Sequence, residues 1–133
     1  MTTYFADSFY YLAILNREDA RHAAAVSLSQ ELHGGQVTTA WVLTEVADAM
    51  AAPNQRGRFL TFLARLRANP RVTIVPASQD LFEQGLELYA QRPDKNWTLT
   101  DCISFVTMRQ KAVAEALTGD HHFEQAGFAA LLK

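Results

Sequence analysis

Cysteine is nearly absent from this chain. Cys102 stands alone among 133 residues, so no intramolecular disulfide and no cysteine zinc cluster can form, and a reducing cytoplasmic setting is expected. No run of about 18 apolar residues is available to cross a membrane. Nor does the N-terminus read as an export signal, because Asp7 interrupts its apolar run and no basic segment precedes it. Internal repeats and low-complexity linkers are missing too, so one domain over residues 1–133 is expected. Net charge is only −2, too little for whole-molecule attraction to a polyanion.

What remains is an ordinary globular composition, 49% hydrophobic and 20% charged, which supports one core without covalent staples. A chain near this length buries about two-thirds of its unfolded surface. The charge is unevenly placed. No acid occurs between Asp48 and Asp80, whereas Arg56, Arg58, Arg65, Arg67 and Arg71 all fall there. Such a stretch can track phosphates, with Arg56 and Arg58 as the leading candidates, or it can form a solvated helix face.

Hydrophobic patterning alternates strand with helix, which predicts an α/β fold built on a parallel sheet. The first strand is read at Thr3 to Ala6, with helices at Ser8 to Asn16 and Glu18 to His33, the second closed by Gly34-Gly35. Gln36 to Thr39 reads as strand two, and a threonine there caps a helix from Ala40 to Ala52. A helix from Gln55 to Ala68 places Phe59, Phe62, Leu63 and Leu66 on one face. Val72 to Val75 is a β-branched strand. Ser78 caps a helix through Gln91 with Leu81, Phe82, Leu86 and Leu88 inward. After a polar loop from Arg92 to Trp97 come a helix at Leu99 to Gln110, a strand at Ala116 to Thr118, a helical turn at His122 to Gln125 and a last strand near Phe128 to Leu131.

Most of the 14 acids fall on helix sides that should face water. Four do not. Asp7 and Asp120 end strands, Glu45 sits among apolar neighbours in the helix after strand two, and Asp101 opens the helix after Trp97-Thr98-Leu99-Thr100. Strand-end acids of an open parallel sheet converge in the crevice at the carboxyl ends of the strands. Two carboxylates about 4 Å apart repel by roughly 4 kcal/mol at an effective dielectric of ~20, so a gathered set needs shared protons or a cation. Oxygen-only ligands suit Mg²⁺ or Mn²⁺, and paired ions of this kind act on phosphoryl groups. Helix capping is the competing account of Asp101.

Four segments carry a resemblance: Tyr4-Phe5-Ala6-Asp7-Ser8, Thr39-Ala40-Trp41-Val42-Leu43-Thr44-Glu45, Trp97-Thr98-Leu99-Thr100-Asp101-Cys102-Ile103-Ser104-Phe105, and Leu117-Thr118-Gly119-Asp120-His121-His122-Phe123. In order and spacing they resemble the PIN-domain ribonucleases, and within them the VapC-like toxins of type II toxin-antitoxin pairs. The resemblance implies a three-layer fold with a central parallel sheet of four to five strands flanked by helices. It also implies that Asp7, Glu45, Asp101 and Asp120 line a Mg²⁺ or Mn²⁺ site that hydrolyses RNA. A hydroxyl near the third acid is usual in such sites; Thr98 is the candidate, with Ser8 and Thr100 as alternatives, and capping explains them equally well. A cognate antitoxin protein and a homodimer are implied as partners.

The remaining chemistry-bearing residues have plainer readings. His121 and His122 are not required by an oxygen-rich site. Trp41 and Trp97 are read as core, with base stacking as the alternative, Cys102 as a small buried side chain, and Asp94-Lys95 as a surface pair from which Lys95 could reach a phosphate. Two other functions fit less well: a PIN-fold RNA- or protein-binding module without catalysis, and phosphotransfer through Asp7. Haloacid-dehalogenase-like phosphotransfer calls for a second acid two residues on, where Phe9 stands.

Overall fold

The computed structural model describes residues 2–133. Its strands are β1 (Thr3–Ala6), β2 (Gly35–Thr39), β3 (Val72–Val75), β4 (Glu115–Leu117) and β5 (Ala129–Ala130). Its helices are α1 (Ser8–Leu15), α2 (His22–Glu31), α3 (Ala40–Ala49), α4 (Arg56–Ala68), α5 (Gln79–Gln91), α6 (Leu99–Gln110) and α7 (His121–Gln125). The strands form one five-stranded sheet in the order β3-β2-β1-β4-β5, and every pairing is parallel. This is the expected parallel α/β architecture. Because β1 is central and the chain leaves it toward β2 on one side and β4 on the other, the sheet has its switch point between β1 and β4.

The core runs along that central strand. Phe5 and Ala6 of β1, Val37 of β2 and Ala116 and Leu117 of β4 are buried with Val42 and Val46 of α3 and Phe105 and Met108 of α6. Phe105 gathers the aromatics, meeting Trp97 edge-on at 5.0 Å and Phe123 at 4.9 Å between centroids. Trp97 is therefore core, as expected, and its indole N–H donates to Gln125 Oε1 at 3.0 Å. Thr38, fully buried, is satisfied by donating to the Ala6 carbonyl at 2.9 Å.

Several boundaries differ from the sequence reading. Helix α2 starts at His22 and not at Glu18, because Asn16 and Asp19 side chains accept from the backbone N–H groups of Glu18 and Arg21. Such local bonds hold the segment in turns. The Gly34-Gly35 pair does not close α2. The helix ends at an extended Leu32, and Gly35 opens β2 with its N–H on the Thr2 carbonyl. Helix α3 stops at Ala49, short of Ala52. In α5 Leu81 and Gly85 are buried and Leu88 packs against the core, while Leu86 turns outward to 38% exposure. Thr118 lies just past β4 and not within it.

Helices α6 and α7 end alike. Val113 N–H bonds Met108 O and Ala112 N–H bonds Arg109 O, while Phe128 N–H bonds Phe123 O and Gly127 N–H bonds Glu124 O. Both are paired closures around a left-handed residue. In α7 that residue is Gly127 at φ 96°, but in α6 it is Ala112 at φ 55°. A β-carbon is strained there by about 1–2 kcal/mol. Ala112→Gly is expected to raise unfolding stability by up to about 1 kcal/mol after the greater chain entropy of glycine is subtracted. A urea midpoint unchanged or lowered, at constant slope, would refute this.

Candidate active site

The four singled-out acids meet. Asp7, Ser8, Glu45, Thr98, Asp101 and Asp120 line one cleft of about 310 Å³ together with Phe9, Leu12 and His122. Each arrives by a different route. Asp7 follows β1 as the N-cap of α1, and Asp120 follows β4 as the N-cap of α7, accepting from His122 N–H at 2.9 Å. Glu45 is carried on α3, whose start is fixed by Thr39 Oγ1 accepting from Val42 N–H. Asp101 is the third residue of α6 and forms a reciprocal capping box with Thr98. Thr98 Oγ1 accepts from Asp101 N–H at 3.0 Å, and Asp101 Oδ2 accepts from Thr98 N–H at 3.1 Å.

Two further residues hold this arrangement, and the sequence reading did not assign them to it. Thr118 donates its hydroxyl to Asp7 Oδ2 at 2.9 Å and accepts the Asp120 N–H at 3.1 Å, so it joins the first acid to the last. His122 places Nδ1 at 3.0 Å from Asp101 Oδ2 and 3.4 Å from Asp120 Oδ1. The available signals were small: a hydroxyl two residues before a strand-end aspartate, and a histidine two residues after it. Gly119 between them is demanded by space, because a Cβ there would come within 2.6 Å of the Phe9 ring and 2.8 Å of the Leu132 carbonyl oxygen.

The result is a set of half-anchored carboxylates. Asp101 engages Oδ2 and Asp120 engages Oδ1, while among the described residues no hydrogen bond occupies Asp101 Oδ1 or Asp120 Oδ2. The cations paired with these two acids are histidines, His121 and His122, with no lysine or arginine among the described residues. Desolvation pushes the Asp7 carboxyl up to about 7. Thr118 opposes this, and the charges of Asp101 and Glu45 add to it. Glu45 is also raised, first by burial and then by Asp101, Asp120 and Asp48, while a hydrogen bond from Ser8 lowers it. Asp101 is raised by burial against the pull of Thr98 N–H and His122. Protonation at the crowded end is thus favoured by every uncompensated neighbour.

This donor set fits a hard divalent cation, since carboxylate oxygens are present, partly free and short of positive charge. Among the described residues, the trio whose potential ligand atoms lie within 4.8 Å of one another is Asp120, His121 and His122; no trio of the four acids closes to that spacing. Like charges without a counterion keep apart.

Other candidates lie elsewhere. Arg56 and Arg58 do not line the cleft: Arg56 Nε donates to the Ala51 carbonyl at 2.6 Å, and Arg58 donates to the Leu15 carbonyl, tying α4 to the end of α1. Thr100 also lies outside its lining, and Cys102 is buried with its thiol pushed up to about 11 by desolvation.

Acids from four elements thus share one cleft at the carboxyl end of a parallel sheet, beside a strand-end Thr-Gly-Asp turn, an arrangement of the nuclease type. The PIN domain family model matches residues 4–129, and the chain belongs to that family. Among curated proteins it is similar to the 23S rRNA-specific endonuclease VapC20 of Mycobacterium tuberculosis strains CDC 1551 / Oshkosh and H37Rv. Identity is 29% over 126 residues in each case, covering 93% of this chain and 94% of the relative. The crystal structure of M. tuberculosis VapC20, a sarcin-ricin loop cleaving toxin, matches with a TM-score of 0.85 and 27% identity over 96% of this chain and 97% of that one.

Two tests follow from the electrostatics. An unfolded Asp7 ionises near pH 3.9, roughly, whereas the folded one holds its proton to about 7, so folding takes up a proton between those values. Stability of the metal-free protein should therefore fall as pH rises across this window and level off above it, by up to about 1.4 kcal/mol per pH unit. Melting temperatures in EDTA should show the decline in wild type and a flatter profile in Asp7→Asn; parallel profiles would exclude Asp7 as the source. Thr118→Val removes the donor to Asp7 and the acceptor for Asp120 N–H, and is expected to cost about 1–3 kcal/mol in urea unfolding. A loss below about 0.5 kcal/mol would show that the bridge carries little.

Proposed function

We propose that this chain is a metal-dependent endoribonuclease, acting as one domain over residues 1–133, and the toxin of a toxin-antitoxin pair. The observation that carries the reading is the convergence of Asp7, Glu45, Asp101 and Asp120 on one cleft in a member of the PIN-domain family. Asp7, Glu45, Asp101 and Asp120 would hold Mg²⁺ or Mn²⁺ through their free oxygens. When bound, the cation supplies the positive charge that activates water and stabilises the oxygens at phosphorus.

The chain's own residues orient the rest. Thr98 Oγ1 already accepts from Asp101 N–H, so its hydroxyl proton is left to donate to a phosphate oxygen at the rim. Ser8 lines the cleft with Glu45 and counters the effect of burial on that carboxyl. His122 and Thr118 act as positioning residues, each fixing one oxygen of an aspartate while the other oxygen stays available. Phosphotransfer through Asp7 has less support, since no lysine lines the cleft and Asp7 is only 5% exposed.

RNA is the substrate class, and a loop of large-subunit ribosomal RNA is the first target to test, given the printed specificity of the curated relatives. A cognate antitoxin that covers the cleft and a homodimer complete the reading, in the cytoplasm. Among the described residues no helix is long and apolar enough to cross a membrane.

Purified protein should cut RNA with Mn²⁺ or Mg²⁺ and stop with EDTA, and Asp7→Asn or Asp101→Asn should lower the rate more than about a hundredfold. Mn²⁺ should also raise the melting temperature of wild type and not of Asp101→Asn. Equal cleavage by wild type and both variants would trace the activity to a contaminant and end the assignment.

A further inference from the structure

A second hollow adjoins the acid cleft. It is larger, about 910 Å³, and opens between the end of α5, the 92–98 loop and the start of α6. Thr98 lines both spaces. Asp101 is about one helical turn further on, roughly 5 Å along the axis, so a strand whose phosphate lies at the acids must continue past this opening or turn away from it.

Its walls suit a nucleotide. Tyr89 stands half-exposed on the rim, and Trp97 forms a fixed wall, held by its bond to Gln125 and by Phe105. Arg92 lies over the Trp97 ring at 5.2 Å and is fully engaged by Asp94 through two hydrogen bonds of 3.0 Å each. Lys95 keeps only a 3.9 Å contact with the same carboxylate. Of these three charges, Arg92 and Asp94 cancel and Lys95 is left over. Asn96 adds an exposed amide. An exposed aromatic face, a surplus cation and an amide together match a base, its phosphate and its edge.

We infer that this hollow is the subsite for an RNA nucleotide flanking the one that is cut, with Tyr89 stacking on its base and Lys95 holding its phosphate. The inference rests on the ribonuclease reading and adds to it a binding role for residues outside the acid set. It also gives the chain a local positive contact for RNA that its net charge of −2 does not supply.

Binding and cleavage separate the two ideas. A fluorescein-labelled single-stranded oligoribonucleotide is titrated with the Asp101→Asn full-length chain in Mg²⁺, alone and combined with Tyr89→Ala, Lys95→Ala or Lys95→Arg, while cleavage is measured on wild type. Tyr89→Ala is expected to weaken binding about tenfold. Lys95→Ala should lower the slope of log affinity against log salt by about 0.7, and Lys95→Arg should restore it. Both positions are at the surface, so melting temperatures should stay within about 2 °C of the parent. Unchanged affinity and slope in Tyr89→Ala and Lys95→Ala would overturn the subsite even where wild type cuts RNA. Binding that depends on both residues without cleavage would support the subsite and remove the nuclease. RNA that is neither bound nor cut overturns both.

Discussion

Burial of the Asp7 carboxylate at the end of the central strand is the constraint around which this molecule is arranged. An acid with 5% exposure is costly to ionise, and Glu45 and Asp101 make it more so. The fold tolerates this because a donor reaches the carboxylate from the neighbouring strand end: the Thr118 hydroxyl fixes one oxygen of Asp7 while Asp120 N–H fixes the hydroxyl in turn. Each local bond is modest. Their joint effect is to keep the acids facing one cleft, where a proton or an added cation would offset their repulsion.

Topology makes the same economy possible at the other acids. Since β1 leads toward β2 and β4 leads toward β5, the connections leaving the carboxyl ends of these two neighbouring strands part, and the crevice between them collects side chains from α1, α3, α6 and α7. Asp101 shows how capping and site chemistry coincide. Its Oδ2 closes the first turn of α6, which a helix needs in any case, and this leaves Oδ1 for a ligand. Capping and metal holding are therefore compatible uses of one side chain, with an oxygen for each.

Much of this was legible in the sequence. The strand-helix alternation led to the parallel sheet, and the strand-end position of Asp7 and Asp120, with Glu45 and Asp101 in apolar surroundings, led to the cleft that they line. What the sequence hid depended on side-chain reach across the fold. Thr118 read as a strand residue because nothing local reveals that its hydroxyl meets Asp7, 111 positions away. His122 read as dispensable to an oxygen-rich site because its contact with Asp101 exists only once α7 packs beside α6. Arg56 and Arg58 showed another limit: the run without acids does not reveal that their guanidinium groups donate to the Ala51 and Leu15 carbonyls, outside the acid cleft. Asn16 and Asp19 shortened α2 through turns whose bonds competed with the helical pattern.

The pairing of β1 with β4 also sets when the centre comes into being. The central strand is made early and its neighbour late, so a growing polypeptide that has not yet reached Asp120 has Asp7 without its donor and a cleft with one wall missing. A chain that ends before Asp120 carries some of the acids and not the full set. The full acid set therefore belongs only to chains extended as far as Asp120.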